Sequence, residues 1–254
     1  MTNDNQERLY QEAAEILRNS KHAIAFTGAG ISVPSGIPDF RSPGGLWSKY
    51  NPIEVASAQA LEMNPKGVWE FMVDASDLME KSQPNPAHYG LAQLEHKNLL
   101  QGIITQNIDN LHQRAKSRNV VEFHGNFQRF YCQKCRTEYS LEKVHESIQN
   151  NNIPVYCSNC NGLVRPDVVF FGEAIPWSAQ TESSRLVKNA DAAIIAGTSG
   201  EVAPANTMPK QVKMNKGKII EINLGPTYFS DITDVRFDES VDEVLPKLAE
   251  LCLR

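Results

Sequence analysis

Cys132/Cys135 and Cys157/Cys160 form a Cys-x2-Cys, 21-residue, Cys-x2-Cys pattern in a chain with one other cysteine, Cys252. Each pair can place two thiolates on one metal from a tight turn. Four thiolates make the closed tetrahedral shell of structural zinc, with no position left for water. The spacing is slightly longer than that of a usual zinc ribbon and leaves room for a helix at about 141–150. A redox dithiol or an iron–sulfur cluster is the alternative. Structural zinc is worth ~10–16 kcal/mol in small peptides, against ~5–15 kcal/mol for a whole domain, so losing one cysteine is expected to unfold this part of the chain. Cys252 reads as a small core residue of the last helix.

The cysteine pairs interrupt an alternation of strands and helices. Apolar strands are expected at Ala23–Thr27, Gly102–Gln106, Val120–His124, Val168–Phe171, Ala192–Ala196 and Lys218–Asn223, with a further one at Asp234–Phe237. Helical spacing covers Glu7–Asn19, about 52–62, 66–81 and 87–96, Asp109–Ala115, Trp177–Lys188, Ala205–Met214 and Val241–Leu253. Asn64-Pro65 and Gln83-Pro84-Asn85-Pro86 separate the helices in the first half. Residues 31–50 hold no period and read as a long loop, a length that is usually functional. Strands separated by helices predict an α/β fold with a doubly wound parallel sheet, and such sheets bind ligands beyond the carboxyl ends of their strands. Gly28, Gln106–Asp109, His124, Gly197–Ser199 and Asn223 each follow an apolar strand.

A net charge of −5 gives no general attraction to nucleic acid or an anionic membrane. Near the cysteines, Arg129, Lys134, Arg136 and Lys143 are offset by Glu138, Glu142 and Glu146. No apolar run approaches the ~18 residues of a membrane span. The polar, partly acidic start resembles neither a signal nor a transit peptide, so a cytoplasmic location is expected. In that compartment paired cysteines more often bind metal than form disulfides.

Gly28-Ala29-Gly30 follows a strand as a dinucleotide turn should, but Val33 stands where the fingerprint has its third glycine. Alone, it fits a tight turn as well as a phosphate site. The run from Gly28 through Arg41 adds backbone donors, hydroxyls, an acid, an aromatic and a fixed cation. That run resembles a sirtuin motif, and so do Thr105-Gln106-Asn107-Ile108-Asp109-Asn110-Leu111-His112, His124-Gly125, the four cysteines, Val169-Phe170-Phe171-Gly172-Glu173 and Gly197-Thr198-Ser199. The resemblance runs in order from about residue 20 to 250.

The resemblance implies an NAD-dependent protein-lysine deacetylase. Its products would be free lysine, nicotinamide and O-acetyl-ADP-ribose. The implied architecture is a single catalytic domain. Its large Rossmann-like part covers about 1–30, 96–124 and 166–254, with a helical and cofactor-loop insert at about 31–95 and a zinc-ribbon module at about 125–165. His124 would be the base, suited by a pKa near neutrality. Asn107 would orient ribose and water, while Asp109 and Ile37 line the nicotinamide pocket. Gly28, Ala29, Gly30, Ser32, Asp39, Phe40, Arg41, Gln106, Ile108, Gly197, Thr198, Ser199, Asn223, Leu224 and Val241 would hold the rest of NAD. Val169, Phe170, Gly172 and Glu173 would hold an acetyl-lysine peptide by strand addition. His112 matches a motif but is expected only to pack.

Two departures concern loop shape: Lys116 stands where the family has glycine, and Ala203 replaces a larger residue. A third concerns substrate. Met72 and Ala75 occupy the positions at which sirtuins that remove succinyl groups carry tyrosine and arginine. Neutral acyl groups, acetyl first, are therefore expected. The alternatives to deacetylation are protein mono-ADP-ribosyl transfer and a non-enzymatic zinc-ribbon or NAD-sensing binding module. A monomer acting on acetylated proteins, without membrane or sequence-specific nucleic-acid partners, is expected.

Overall fold

Ala23–Thr27 is buried along its whole length, a burial pattern that only a strand covered on both faces can have. In the computed structural model, which describes residues 3–39 and 48–254, it is the first strand of a six-stranded parallel sheet. The elements are α1 (Asn3–Asn19), β1 (Ala23–Thr27), a 3-10 turn (Ala29–Ser35), α2 (Pro52–Val55), α3 (Ala58–Met63), α4 (Pro65–Lys81) and α5 (Pro86–His96). They continue as β2 (Ile103–Thr105), α6 (Leu111–Arg114), β3 (Val120–Glu122), β4 (Gly125–Cys132), β5 (Glu138–Tyr139), α7 (Leu141–Gln149) and β6 (Val164–Val168). The chain closes with α8 (Trp177–Asn189), β7 (Ala192–Ala196), α9 (Thr207–Met214), β8 (Lys218–Ile222), β9 (Val235–Phe237) and α10 (Val241–Leu253). Phe40 and Arg41 lie outside the described residues.

The sheet order is β3-β2-β1-β7-β8-β9, parallel throughout. From β1 the chain first works outward to β3, then returns to the other side of β1 with β7. The crevice for a ligand opens where that direction reverses, between β1 and β7. Alternate strand residues feed two cores. Ala23, Ala25, Ile103, Ile194 and Ile220 face α1, α5 and α10, while Ile24, Phe26, Ile104, Ile195 and Ile219 face α8 and α9. Gly90 lets α5 come close to α10, since a Cβ there would stand 3.0 Å from the Leu245 carbonyl carbon. Cys252 belongs to the first core, as its small apolar reading requires.

Three Asn-Pro pairs begin helices. Asn51, Asn64 and Asn85 accept from the backbone N–H of Ile53, Gly67 and Ala87 at 3.1, 3.1 and 2.9 Å, each with proline at the first helical position. Asparagine satisfies an orphan donor and proline gives none away, so each pair is a local start signal.

The second sheet is antiparallel, β5-β4-β6, and carries the cysteines. It differs from the sequence expectation at one point. The apolar run Val168–Phe171 is not a strand of the parallel sheet: β6 ends at Val168 and pairs with β4, with Gly125 opposite Val168. Beyond it, Phe171 makes an isolated parallel bridge to Ser57. A third core joins this sheet to α3 and α4: Leu61, Val68, Trp69 and Met72 pack with Phe127, Phe130, Val144 and Val164. No described helix is long and apolar enough to cross a membrane.

Candidate active site

The turn after β1 is packed against the turn after β7. A Cβ on Gly28 would stand 2.7 Å from Thr198 Cβ, and one on Gly30 2.8 Å from Gly197 Cα. Gly197 has a φ of +64°, and its Cβ would meet Ile31 N at 2.1 Å. Gly30 N donates to the Gly197 carbonyl at 2.8 Å. These glycines are required by backbone-to-backbone contact. Val33, in the place of the third fingerprint glycine, is 45% exposed, because the turn continues as a 3-10 helix with no close helix–strand contact at that point.

The loop after β2 is tied to the same turn. Thr27's carbonyl accepts from Gln106 N at 3.0 Å, and Gly28's from Asn107 Nδ2 at 3.1 Å. Asn107 Nδ2 also reaches Ser32 Oγ at 3.1 Å, and Ser32 Oγ donates to Asp109 Oδ2 at 2.7 Å. The other carboxylate oxygen of Asp109 accepts from Leu111 N at 2.9 Å and satisfies one of the free donors at the start of the short α6. Burial pushes the Asp109 carboxyl above its ordinary range, against the opposing bonds from Leu111, Ser32 and Asn107.

His124 follows β3, and its Nδ1 lies 3.1 Å from the Gln106 carbonyl. A carbonyl only accepts, so Nδ1 carries the proton and Nε2 keeps the lone pair. Burial lowers the imidazole pKa below 6.5 despite the Gln106 bond. The ring is therefore neutral at pH 7 and able to take a proton at Nε2.

One cavity of about 1090 Å³ collects these groups. That exceeds the ~300–1,000 Å³ of ordinary small-molecule sites and leaves room for more than one ligand. It is lined by Gly28, Ala29, Gly30, Ser32, Ile37, Asp39, Gln106, Asn107, Ile108, Asp109, His124, Gly197, Thr198, Ser199, Asn223, Leu224 and Val241. Val169, Phe170, Gly172 and Glu173 line it as well. Every expected site residue outside the cysteines that falls within the described residues is thus brought to one place. The structure adds Phe71, Met72, Ala75, Leu78 and Met79 of α4, together with Gln180, Glu201 and Glu239. Glu239 could have been suspected because it follows a strand, as Asn223 does. The α4 residues carry only a helical apolar stripe, which reads as core. The charged side chains in the lining, among the described residues, are Asp39, Asp109, Glu173, Glu201 and Glu239, all acidic.

Segment 169–173 is shaped from behind by Arg165, a nearly fully buried cation. Its guanidinium pairs with both Glu173 carboxylate oxygens, donates to the Val168 carbonyl at 2.7 Å and lies over the Phe170 ring. Glu173 Oε2 also accepts from Phe170 N at 2.9 Å. Burial raises the Glu173 carboxyl, but Arg165 and the Phe170 N–H outweigh it and hold the pKa below 4.5.

The ligand atoms of Cys132, Cys135, Cys157 and Cys160 all lie within 4.8 Å of one another. Cys132–Cys160 and Cys135–Cys157 sulfurs are 3.5 and 3.6 Å apart. Four sulfurs at ~2.3 Å from a tetrahedral zinc would be separated by about 3.8 Å. Backbone N–H groups of Cys135 and Asn159 point at the Cys132 and Cys157 sulfurs, at 3.5 and 3.4 Å. A Cβ on Gly162 would stand 2.9 Å from Cys132 Sγ, so glycine keeps the cradle clear. The donor set fits a structural zinc.

The Sir2 family profile matches residues 28–204. An NAD-dependent protein deacetylase of Saccharolobus solfataricus is 45% identical over 242 residues, 95% of this chain and 96% of that protein. An NAD-dependent protein deacylase 2 of Pyrobaculum aerophilum is 43% identical over 237 residues, 93% of each. A Sir2 homolog–NAD complex superposes with a TM-score of 0.89 at 38% identity, covering 96% of this chain and 93% of that one. A Sir2 variant with a deacetylated p53 peptide and 3'-O-acetyl ADP ribose superposes at 0.90 with 38% identity, covering 95% and 97%. With the four-cysteine centre and the interlocked glycine turns in place, the chain belongs to the Sir2 family.

Proposed function

We propose that this protein is an NAD-dependent protein-lysine deacetylase. It transfers an acetyl group from lysine to ADP-ribose, with release of nicotinamide and O-acetyl-ADP-ribose. The observation that carries the reading is the fixed tautomer of His124 in a cavity shared with Asn107, Asp109 and the glycine turns. NAD would supply a glycosidic bond that breaks to free nicotinamide as the acyl oxygen takes its place on the anomeric carbon, and a ribose that receives the acyl group once water has released the lysine. His124 takes a proton from a ribose hydroxyl at Nε2. Asn107, fixed by Gly28 and Ser32, orients the reacting groups before any charge develops, the condition under which a polar group helps the transition state most. Asp109 and Ile37 bound the nicotinamide side. Gly28–Gly30, Thr198, Ser199, Asn223, Leu224 and Val241 take the phosphates and adenosine. Val169–Glu173 receives the acyl-lysine peptide, and an acidic lining suits an approaching basic substrate.

Apolar α4 side chains and an acidic lining favour neutral acyl groups over succinyl. Equal turnover of succinyl- and acetyl-lysine peptides would refute that preference. The whole chain works as one catalytic unit, with inserts at about 31–95 and 125–165, as a monomer in the cytoplasm on acetylated proteins.

The test is an acetyl-lysine peptide incubated with and without NAD, with products followed by mass spectrometry. NAD-dependent release of nicotinamide and O-acetyl-ADP-ribose, both lost in His124→Ala, is expected. Nicotinamide release without deacetylation would point to ADP-ribosyl transfer. NAD binding with no turnover would point to a binding module.

A further inference from the structure

Two buried histidines outside the proposed chemistry lie behind the site. His88 of α5 is 0% exposed and His112 of α6 is 1% exposed. Their ring centroids are 4.9 Å apart with the planes at 59°. Each has one ring nitrogen without a partner among the described residues: Nε2 of His88 and Nδ1 of His112. Two such atoms left unpaired in the interior forfeit the water bonds that they have in the unfolded chain.

The remaining bonds assign the protons. His88 Nδ1 accepts from Asn85 N at 3.3 Å, so the His88 proton is on Nε2, the unpartnered nitrogen. His112 Nε2 meets Thr27 Oγ1 at 3.0 Å. Two imidazoles joined by an N–H···N bond of ~2.9 Å have their centroids about 5 Å apart. The observed 4.9 Å spacing is that of such a pair, and one bond, His88 Nε2–H to His112 Nδ1, would satisfy both orphan atoms. His112 must then carry its proton on Nε2 and donate it to Thr27.

We infer that His88 and His112 are positioning residues: a directional chain, Asn85 N–H to His88 to His112 to Thr27, hangs the catalytic loops from the first turn of α5. The end point of the chain is where those loops attach. Thr27's carbonyl receives Gln106 N, the Gln106 carbonyl receives His124 Nδ1, and the neighbouring Gly28 carbonyl receives Asn107. The starting point holds the opposite loop, since Asn85 Nδ2 donates to the Ile31 carbonyl at 2.8 Å and to Ser35 Oγ at 2.9 Å. One helix start thus controls the spacing between the 3-10 turn and the Gln106–Asp109 loop. Burial, which lowers the His88 pKa to about 4 and that of His112 well below 6.5, keeps both rings neutral as the chain requires.

Nitrogen-15 NMR of histidine-labelled wild-type protein at pH 7 reads the chain directly and does not depend on the proposed activity. Both rings neutral, both protons on Nε2 and a scalar coupling between His88 Nε2 and His112 Nδ1 are expected. A proton on His112 Nδ1, a charged ring or no coupling would overturn the inference. The kinetic arm rests on the deacetylase reading. His88→Gln, which can accept from Asn85 and donate to His112, is expected to stay within about 3-fold of wild type. His88→Leu, similar in bulk but without the bonds, is expected to lose on the order of 10- to 100-fold in kcat with little change in peptide KM, the scale of a small misplacement. Equal rates for His88→Leu and wild type would overturn it, as would a Gln variant no better than the Leu one. If neither the mutants nor wild type turns over NAD, the deacetylase reading fails while the NMR result stands.

Discussion

The two sheets of this protein are stabilised by different means. The parallel sheet is covered on both faces by helices and needs nothing beyond its side chains: residues such as Ile103, Ile194, Ile220 and Phe237 are wholly buried. The antiparallel sheet has three short strands and borrows its cover, one face resting on α3 and α4 in a shared core and its far end gathered by four cysteines. One half of the cleft is thus built on a self-sufficient core, and the other on a core that spans two distant stretches of sequence and a metal centre.

Removing the metal should separate the two most strongly. With chelator, or with Cys157→Ser, the antiparallel sheet is expected to unfold and activity to disappear, on the ~10–16 kcal/mol scale of zinc binding. Hydrogen exchange should show protection kept in β1, β2 and β7 and lost in β4–β6. Uniform loss across both sheets would mean that they fold as one unit. Next in size, Phe237→Ala should cost about 3–5 kcal/mol by emptying a fully buried site in the parallel sheet. Here denaturant melts should show lower stability with the zinc content unchanged.

Acid should act on the two regions in sequence. The folded pKa values of His88 and His112 lie below their unfolded values, so the folded state holds fewer protons and stability falls as pH drops below 6.5, for His88 down to about 4. Glu173 has a depressed pKa, so its contribution is complete above 4.5 and is lost as pH falls through the lower folded value. Melting curves between pH 7 and 3 should weaken first at α5–α6 and later at segment 169–173. Over the upper part of that range, the acid limb of kcat/KM should have its midpoint below 6.5, set by His124. The smallest effect belongs to Lys116, held at a φ of +73°. Lys116→Gly should stabilise by about 1 kcal/mol, read as a small rise in Tm.

Lys116 also shows how closely local sequence tracks local shape. The position at which the resemblance has glycine keeps a left-handed backbone even with lysine in place. The breaks at Asn64-Pro65 and Asn85-Pro86, the all-apolar strands and the cysteine spacing were legible for the same reason, since each is decided by residues adjacent in the chain. What stayed hidden depends on distance. Trp69 and Phe130 pack together from stretches about sixty residues apart, with no periodic signal to link them. Val168–Phe171 looks like a buried strand because its apolar residues are contiguous, yet Arg165 behind it and the pairing to β4 bend it out of the parallel sheet. His112 was expected to pack, and it does. Its bond to Thr27 and its neighbour His88 could be found only once α5 and α6 were side by side.

The contact between the glycine turns has a mechanical consequence. Gly30 and Gly197 meet backbone to backbone, with no side chain between them to yield. That floor cannot widen without breaking the bond from Gly30 N to the Gly197 carbonyl. Room for a peptide and a nucleotide together is therefore set by the opposite side, where α4 and the cysteine-bearing sheet share one core.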